Sequence, residues 1–378
     1  MTSFLVVHSK ANDWNQAAKI CADEFCNSED AYTLGFIYVT DNLAEDLNSI
    51  LAYLRKETGI KHWVGSVGIG LCAIASNKKY GSAEYFDQAA MAVMAMALPT
   101  ENFQVLPTMD TDFGQLPGEA LDWINRNGSF FGVVHGDPAN ALVPFLIEEL
   151  TARTHGFLVG GLTSSRLHNY QVAEQITSGG LSGVMFAPSL EVATCLSQGC
   201  VPLAGSHLIS GCVDNVVIGL DGRPALDILK EDFGEELVGD LNQVAGLIHA
   251  ALPIEGSDTG DYLVRSLIGI DPERGWLAIG EEVETGQQLF FVRRDPLSAE
   301  IDLRNRLEIL KNRFGKEPRA ALYYSCVGRG PSMFGKEGGE LSIIEDVFVD
   351  VPLIGFFGNG EISYNRLYGY TGVLTMIA

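Results

Sequence analysis

VPLIGFFGNGEISYNRLYGYTGVL, residues 351–374, is the stretch that decides how this chain is interpreted. It predicts an apolar strand ending at Gly355, a glycine-rich turn at 358–360, and Glu361 just beyond that turn. A companion stretch, AALYYSCVGRG at residues 320–330, predicts a second apolar strand that ends in polar and glycine residues. Glycine permits positive φ and close backbone approach, and a strand ending in such a turn presents N–H groups to a neighbouring cleft. The two strand ends therefore predict a site, with two tight structural turns as the alternative.

A strand–helix–strand pattern that ends at a glycine turn occurs about three times along the chain. In each occurrence a helix of about 10 to 16 residues lies between two apolar strands. The glycines are followed by segments typical of a strand pair, at 174–186 and 365–376. The chain is thus predicted to be α+β, with layered mixed sheets and helices built from about three such units. The predicted units are 33–39, 43–58 and 61–64 before Gly65; 130–134, 139–154 and 156–159 before Gly160; and 321–324, 341–348 and 352–354 before Gly355.

A different region separates the second unit from the third. The sequence of this region predicts several strands, a helix from residue 225 to 230 and further helical segments between 237 and 250. The chain becomes acidic and glycine-bearing at 230–239, where we place a domain boundary. Two interlocked domains are predicted, 1–230 and 231–378.

Composition and charge exclude several classes of protein. The 378 residues carry a formal net charge of −23, which would repel nucleic acid and disfavour anionic membranes. No secretory signal is visible at the N-terminus, and the most apolar helical candidate, 89–98, is far too short to span a bilayer. Seven scattered cysteines favour reduced thiols in a cytosolic protein. Partners among nucleic acids or membranes are therefore not expected.

Several segments resemble the FIST family of sensory proteins. The resemblance runs through most of the chain in the family's order, and it implies a cytoplasmic sensor that binds a small ligand, with amino acids or related metabolites the usual proposal. It supplies no established set of ligand contacts. The segments similar to the family's C-terminal part are 325–330, 355–361 and 367–374, and those similar to its N-terminal part are 199–205, 217–226 and Gly160–Gly161 with Thr163 and Ser164.

The residues at the two strand ends favour binding of a zwitterion. Arg329 is suited to a two-pronged contact with a carboxylate, and Glu361 can accept from an ammonium group. An Arg329–Glu361 salt bridge that braces the two turns is the alternative, and both can hold if the pair exchanges for a ligand. The other residues predicted to bind ligand are Ser325, Cys326, Asn359 and Thr371 from these stretches, and His135, Asp137, Gly161, Thr163 and Ser164 from the second unit, which would form the opposite wall.

An enzyme of acyl-transfer or hydrolytic type is the second hypothesis, with Cys326 as nucleophile. Arg329 could favour the thiolate, turn amides could form an oxyanion cradle, and Glu361 with His135 or His207 could supply a base. No local catalytic signature surrounds Cys326, so this hypothesis ranks below binding. A scaffold recognised by another protein is a third class, which predicts an exposed apolar patch and no ligand.

Metals and cofactors find little support in the sequence. The cysteine pairs 21/26 and 195/200 lack the closer, twofold spacing of structural zinc sites, and no P-loop is present. Haem enters only through the family resemblance, with His168, His207, Cys326 or Tyr370 as possible axial ligands and no CxxCH attachment. The prediction is therefore no metal and no cofactor, with haem as an open alternative. The expected function is a sensor for a small polar metabolite that relays its state to a separate signalling partner.

Overall fold

The computed structural model describes residues 3–11, 13–128, 131–234, 247–254, 261–335 and 337–378. Contacts divide the chain into two compact units, one formed by residues 1–198 and 300–378 and the other by residues 199–299. The α+β class is confirmed, because the larger unit holds three mixed sheets and helices connect their strands.

The described residues contain α-helices in both units and short 3-10 turns in the larger unit. The α-helices are α1 (Trp14–Cys26), α2 (Leu47–Thr58), α3 (Gly118–Asn127), α4 (Val143–Thr154), α5 (Ala225–Phe233), α6 (Pro296–Phe314), α7 (Gly330–Phe334) and α8 (Gly339–Val347), and the 3-10 turns are Asp41–Asp46, Thr100–Asn102 and Phe113–Gln115.

The strands are numbered in chain order. They are β1 (Ser3–Lys10), β2 (Leu34–Thr40), β3 (His62–Gly68), β4 (Gly70–Ile74), β5 (Ser82–Phe86), β6 (Ala90–Ala97), β7 (Phe103–Met109), β8 (Phe131–Gly136), β9 (Phe157–Leu162), β10 (Gln171–Ala173), β11 (Gln175–Thr177), β12 (Leu181–Phe186), β13 (Val192–Gln198), β14 (Cys200–Pro202), β15 (His207–Val213), β16 (Val216–Leu220), β17 (Arg223–Pro224), β18 (Ile248–Pro253), β19 (Tyr262–Asp271), β20 (Trp276–Ile279), β21 (Gln288–Arg294), β22 (Ala320–Cys326), β23 (Leu353–Gly358), β24 (Glu361–Tyr364), β25 (Arg366–Tyr368) and β26 (Thr371–Ile377).

The three six-stranded sheets of the larger unit share one strand pattern. A parallel pair lies at the centre of each sheet, β2 with β3, β8 with β9, and β22 with β23. An antiparallel strand and an edge strand complete one side, in the orders β1-β6-β2, β7-β12-β8 and β13-β26-β22. The helix between the parallel strands is the crossover that such a pair needs. The prediction that one unit is used about three times stays a prediction, and this shared order supports it.

Each sheet is completed on its other side by a hairpin from a different part of the chain. Hairpin β4–β5 joins the sheet of β22 and β23, β10–β11 joins that of β2 and β3, and β24–β25 joins that of β8 and β9. The segments 174–186 and 365–376 each contain two strands, as predicted, but these strands do not pair with each other. Strands β12 and β26 pair with the central strands, and β11 and β25 pair with β10 and β24. These exchanged hairpins make each sheet depend on residues far away in sequence.

The glycines predicted to end strands lie within strands instead. A Cβ at Gly355 would stand 1.6 Å from the carbonyl oxygen of Tyr323, and one at Gly65 or Gly160 would stand 1.8 Å from the oxygen of the facing residue. Each glycine pairs with that facing residue across the parallel strands. Glycine is required there for close backbone approach, so β3, β9 and β23 continue beyond it.

Two segments with helical patterns form strands. Residues 89–98 contain β6, which is buried almost throughout between β1 and β2. A strand covered on both faces needs no alternation of polar residues, so its apolar run does not differ from that of a buried helix. Of the helical pattern at 237–250, residues 237–246 lie outside the described residues and 248–250 belong to β18.

The smaller unit contains a closed ring of antiparallel strands. The order is β21-β15-β16-β20-β19-β18, and β18 pairs again with β21. Helix α5 contributes Leu226 and Leu229 to its core beside Phe291. The contact division at 198/199 and 299/300 does not coincide with residue 230, so domains 1–230 and 231–378 stay a prediction about sequence segments.

Candidate functional site

Arg329 is the central side chain of a buried polar cluster at the end of β22. It precedes α7, and its side chain is fully buried. Its Nε donates to Glu340 Oε1 at 2.7 Å and its Nη2 donates to Ser197 Oγ at 3.0 Å. The guanidinium also lies 5.2 Å from the ring of Phe334. Nη1 has no hydrogen-bond partner among the described residues, which leaves one buried donor for another group.

Glu340 is the residue that sequence reasoning missed. It lies in the first turn of α8, is fully buried, and accepts from Tyr323 Oη at 2.5 Å and Ser325 Oγ at 2.9 Å. The proposed Arg329–Glu361 salt bridge is therefore wrong in its partner, because the ion pair of Arg329 is with Glu340 at 2.7 Å. An acidic residue before an apolar helix was the available signal, and it does not distinguish a buried partner from a solvated helix start.

Glu361 begins β24 and faces Gly161 of β9 across the sheet. Its Oε2 accepts from the backbone N–H of Thr371 at 3.1 Å and from Thr371 Oγ1 at 2.7 Å. Its Oε1 is buried without a partner among the described residues. Burial raises the pKa of the Glu361 carboxyl to about 8, against the Thr371 hydrogen bonds and the charge of Arg329, which lower it. A neutral carboxylic acid is therefore favoured at neutral pH.

Cys326 lies beside Glu361 at the last position of β22. Burial and then the Glu361 charge raise the pKa of the thiol to about 12, while backbone N–H groups of Gly328 and Tyr370 and the charge of Arg329 lower it. A thiolate is disfavoured in this setting, and thiolate is the nucleophilic form. The geometry thus gives Cys326 a packing and hydrogen-bonding role at the edge of the cluster.

His135 lies at a different place, on the central strand β8, and its ring contacts the central strands β2 and β22 of the other two sheets through Tyr38 and Tyr324. Tyr38 Oη is 3.0 Å from its Nε2 and 2.8 Å from Tyr324 Oη. Its Nδ1 has no partner among the described residues, and burial lowers the pKa of the imidazole to about 3. Tyr38, His135 and Tyr324 occupy corresponding positions of β2, β8 and β22 in the paired registers.

The other predicted residues, those of the second unit and Asn359, hydrogen-bond to neighbouring turns and strand ends, several of them distant in sequence. Asp137 accepts from the N–H groups of Ala139 and Gly179 at 2.9 and 2.8 Å and so orders the turn after β8. Asn359 Nδ2 donates to the carbonyl oxygen of Thr163 at 3.1 Å. Ser164 Oγ donates to the carbonyl oxygen of Phe357 and accepts from Ile69 N–H at 2.8 Å.

The structure therefore brings part of the predicted set together. Glu340 accepts hydrogen bonds from Ser325 and Arg329, and Glu361 accepts from Thr371. The charges of Arg329 and Glu361 act on each other and on the Cys326 thiol, so five predicted residues belong to one cluster. Two residues of the predicted opposite wall contact this set: Thr163 accepts a hydrogen bond from Asn359, and Gly161 pairs with Glu361 across the sheet. His135 and Asp137 have the separate settings described above. That any of these residues contacts a ligand stays a prediction.

Metal and haem candidates lie in separate settings. Within the described ranges, no group of three or more His, Cys, Asp or Glu side chains is arranged to hold a metal ion. His207 lies between Asp221 at 2.7 Å and Asp232 at 3.0 Å, and the exposed His168 stacks on Tyr170. These placements do not test the haem hypothesis.

Comparison with known proteins identifies the family. The model of the FIST N domain matches residues 33–223, and that of the FIST C domain matches residues 225–364. The chain belongs to the FIST family. FIST domains are signal-transduction sensor domains, and the two matches follow the order predicted from the sequence.

Mycobacterial proteins are among the similar sequences. An uncharacterized protein of Mycobacterium tuberculosis (strain H37Rv) is 34% identical over 251 residues, which are 63% of this chain and 64% of the relative. The chain thus matches somewhat less than two thirds of that relative's length. An uncharacterized protein of Mycobacterium bovis is 29% identical over 361 residues, 92% of this chain and 89% of the relative. In the part of the chain that the structure describes, no helix has the length and apolar character needed to cross a membrane.

Proposed function

We propose that this FIST protein is a cytoplasmic sensor that binds a small polar metabolite, an amino acid being the leading candidate, in the cluster around Arg329 and Glu361. Binding there is relayed to a separate signalling partner. Membership of a sensor family supports the class of function. The cluster supports the place and the polarity of the ligand.

One observation carries the proposal: a buried guanidinium nitrogen and a buried carboxyl oxygen both lack hydrogen-bond partners among the described residues. Arg329 Nη1 and Glu361 Oε1 are unpaired among the described residues, and both side chains are fully buried. Leaving a buried polar atom unpaired costs about 1–3 kcal/mol, and more for a charged group. A small molecule with both a donor and an acceptor would remove both costs.

Access to the cluster requires local movement. The half-buried Tyr370 has φ +61, and a Cβ at Gly328 would stand 3.1 Å from its ring. A tyrosine at positive φ is an unfavourable backbone state that the surrounding structure must maintain. The turn of Tyr370 is therefore the segment that we expect to move when ligand binds.

The proposal is tested by thermal unfolding of the full chain with a panel of the twenty L-amino acids and the common nucleotides. A compound present at about 100 times its Kd stabilises the protein by about 2.7 kcal/mol, a shift of several degrees. Glu361→Gln keeps the size of the side chain and should abolish the shift, whereas the exposed Glu101→Gln should leave it unchanged. No shift with any compound at millimolar concentration would contradict the proposal.

Catalysis by Cys326 has no observation in its favour. A thiol whose pKa is raised to about 12 is almost wholly protonated at neutral pH. Iodoacetamide labelling followed by peptide mass spectrometry measures this directly. We expect the exposed Cys26 to be alkylated at least tenfold faster than Cys326, and faster labelling of Cys326 would revive the enzyme hypothesis.

A further inference from the structure

The start of helix α4 and the residues just before it carry an exposed apolar surface. Residues 138–147, PANALVPFLI, include no charged side chain. Leu142 is 44% exposed and Phe145 is 51% exposed, and Ala141 and Pro144 beside them are also exposed. A single exposed apolar side chain is ordinary in a soluble protein, but a contiguous group of them marks an interaction site. These four residues are the α4 surface.

Acidic side chains border the α4 surface. Glu148 is exposed about one turn further along the helix, and Asp110 and Asp112 are exposed in the turn that follows β7. That turn lies against α4, because the N–H of Phe113 donates to Glu149 Oε2 at 2.8 Å. The apolar surface therefore has an acidic border on the helix and on the adjacent turn.

The hairpin that begins with Glu361 packs beneath the same helix. Ile362 of β24 belongs to the same apolar cluster as Leu150 of α4. Thr151 Oγ1 of α4 donates to the carbonyl oxygen of Tyr364, at the turn of that hairpin, at 3.3 Å. One short hairpin therefore connects the cluster around Glu361 with the helix that carries the α4 surface.

Charge selects the class of partner that fits the α4 surface. Between residues 101 and 154 the chain has eight acidic and two basic side chains, and the whole chain has a formal net charge of −23. A second copy of this chain or an anionic membrane would bring more negative charge to the acidic border, whereas lysine and arginine side chains would be attracted to it. An amphipathic helix presents an apolar stripe beside such charged side chains, so it matches both the surface and its border.

We propose that the α4 surface docks a basic amphipathic segment of a partner protein. The apolar side chains of that segment pack on Leu142 and Phe145, and its lysine or arginine side chains face the acidic border. This inference rests on the proposed function, and it names the kind of partner to which the sensor relays. Movement of the hairpin of Glu361 when a ligand binds would shift α4 and so change the affinity for that partner.

Fluorescence anisotropy with three labelled peptides of about 18 residues tests the proposal on the full chain. The first peptide has leucine on one face of a helix and lysine on the other, and the second has glutamate in place of lysine. The third has the composition of the first in an order that gives no apolar face. In about 0.15 M NaCl the first peptide should bind about tenfold or more tightly than either control. Equal binding of a control peptide would overturn the proposal, because the surface would then select neither charge nor an apolar stripe.

Two double variants locate the bound peptide. Leu142→Ser/Phe145→Ser removes the apolar side chains without a change of charge and should raise the Kd of the leucine–lysine peptide about tenfold or more. Ile301→Ser/Ile309→Ser is the matched control, because these side chains of α6 are exposed to a similar degree, 51% and 59%, and it should leave the Kd unchanged. An unchanged Kd in the first variant, or equal losses in both, would contradict docking on α4.

Crosslinking of the wild-type chain gives a second measurement that needs no variant. A leucine–lysine peptide with a benzophenone on its apolar face should attach within residues 138–149, as located by peptide mass spectrometry. Attachment only elsewhere would overturn the proposal. Circular dichroism checks the folding of the variants, and the crosslink decides the question if either variant does not fold.

Other occupants of the α4 surface give different results. A dimer seen in sedimentation that Leu142→Ser/Phe145→Ser dissociates would assign the surface to a second copy. Binding of phosphatidylglycerol vesicles that the same variant abolishes would assign it to a membrane. Either result would overturn the proposal.

The peptide experiment is independent of the test of metabolite binding. It needs no metabolite, so its failure would leave the proposed sensor in place without this docking surface. A panel of metabolites that gives no thermal shift would contradict the proposed function, and peptide binding at α4 would then be docking without a metabolite signal.

Discussion

Arg329 and Arg166 are two arginines paired with carboxylates at ends of sheets in the larger unit, and they differ in their contact with water. Arg329 and Glu340 are both 0% exposed, whereas the Arg166 side chain is 49% exposed and its partners Asp41 and Asp87 are 3% and 78% exposed. Asp41 directly follows β2 as Val327 directly follows β22, so the two ends correspond in their sheets. The same pairing chemistry is thus present at a dry end, the buried pair of Arg329 with Glu340, and at a wet end, the partly exposed Arg166 with Asp41 and Asp87.

At the wet end each guanidinium nitrogen of Arg166 has a carboxylate partner, whereas at the dry end Nη1 of Arg329 has no partner among the described residues. Arg166 donates from Nε and Nη2 to Asp41, both at 2.7 Å, and from Nη1 to Asp87 at 2.6 Å. Burial would raise the pKa of the Asp41 carboxyl, but the Arg166 hydrogen bonds outweigh burial and hold it below its usual range. At the dry end the pKa of Glu361 is raised, and polar atoms remain unpaired among the described residues. Exclusion of water, rather than charge pairing, distinguishes the end near Arg329, and this difference supports the proposal that a ligand binds there.

Removal of the carboxylate partner should separate the two ends most strongly. Glu340→Ala leaves a buried unpaired guanidinium and should lower the free energy of unfolding by about 3–5 kcal/mol. Asp41→Ala leaves Arg166 half exposed with Asp87 and should cost about 1 kcal/mol or less. Urea denaturation followed by circular dichroism measures both. Similar losses would show that burial does not distinguish the two ends, and Glu340→Gln offers a milder variant should Glu340→Ala not fold.

Glycine substitutions should show that the two ends share one backbone arrangement. A Cβ at Gly355 or Gly65 would overlap a carbonyl oxygen of the adjacent strand, so alanine at either site should destabilise by about 1–3 kcal/mol or more. A methyl group added at Gly118 would meet no other atom within 4 Å, and Gly118→Ala should change stability by less than about 0.5 kcal/mol. Thermal unfolding of the three variants checks the expectation. A neutral Gly355→Ala or Gly65→Ala would mean that the strands can separate at no cost.

Stability should depend on pH with opposite signs at the two ends. The pKa of Glu361 is raised in the folded protein, so its contribution is fully present below the unfolded pKa of about 4.5 and is lost as pH rises toward 8. The pKa of Asp41 is lowered, so its contribution is present above about pH 4 and is lost as pH falls further. Denaturation between pH 3 and 9 should show a loss on the order of 3 kcal/mol from Glu361 between pH 5 and 8. Glu361→Gln should show a smaller loss in this range, because the raised pKa of Glu84, about 7, still contributes there. Parallel profiles for the variant and the wild type would contradict the assignment.

Salt should produce the smallest effect and only at the wet end. The exposed bridge between Arg166 and Asp87 is screened at high ionic strength. The stability difference between wild type and Asp87→Asn, expected to be about 0.5 kcal/mol in 0.05 M NaCl, should vanish in 1 M NaCl. The difference between wild type and Glu340→Gln should change little over the same range, because buried pairs are screened much less. Equal salt dependence would contradict the contrast in solvent access.

Particular residues show where sequence reasoning succeeded and where it failed. It located Gly65, Gly160 and Gly355 as corresponding points, and the family matches confirmed the FIST assignment. It named Arg329 and Glu361 but not Glu340, whose acidic side chain resembles any solvated residue in the first turn of a helix. It also interpreted β6 as helical, since a strand buried on both faces lacks the alternation that marks a half-exposed one.

Local pattern alone determined the α+β class and the positions of the glycines where backbones approach, and resemblance to known proteins indicated the sensor family. Only the tertiary structure decided which strands pair, where the hairpins are exchanged, and which carboxylate neutralises Arg329. The reason is that propensity, periodicity and glycine geometry act over a few residues. Strand partners and ion pairs are chosen instead by burial, among residues as near as Arg329 and Glu340 or as distant as β4 and β23. No local sequence pattern indicates which polar atoms become buried.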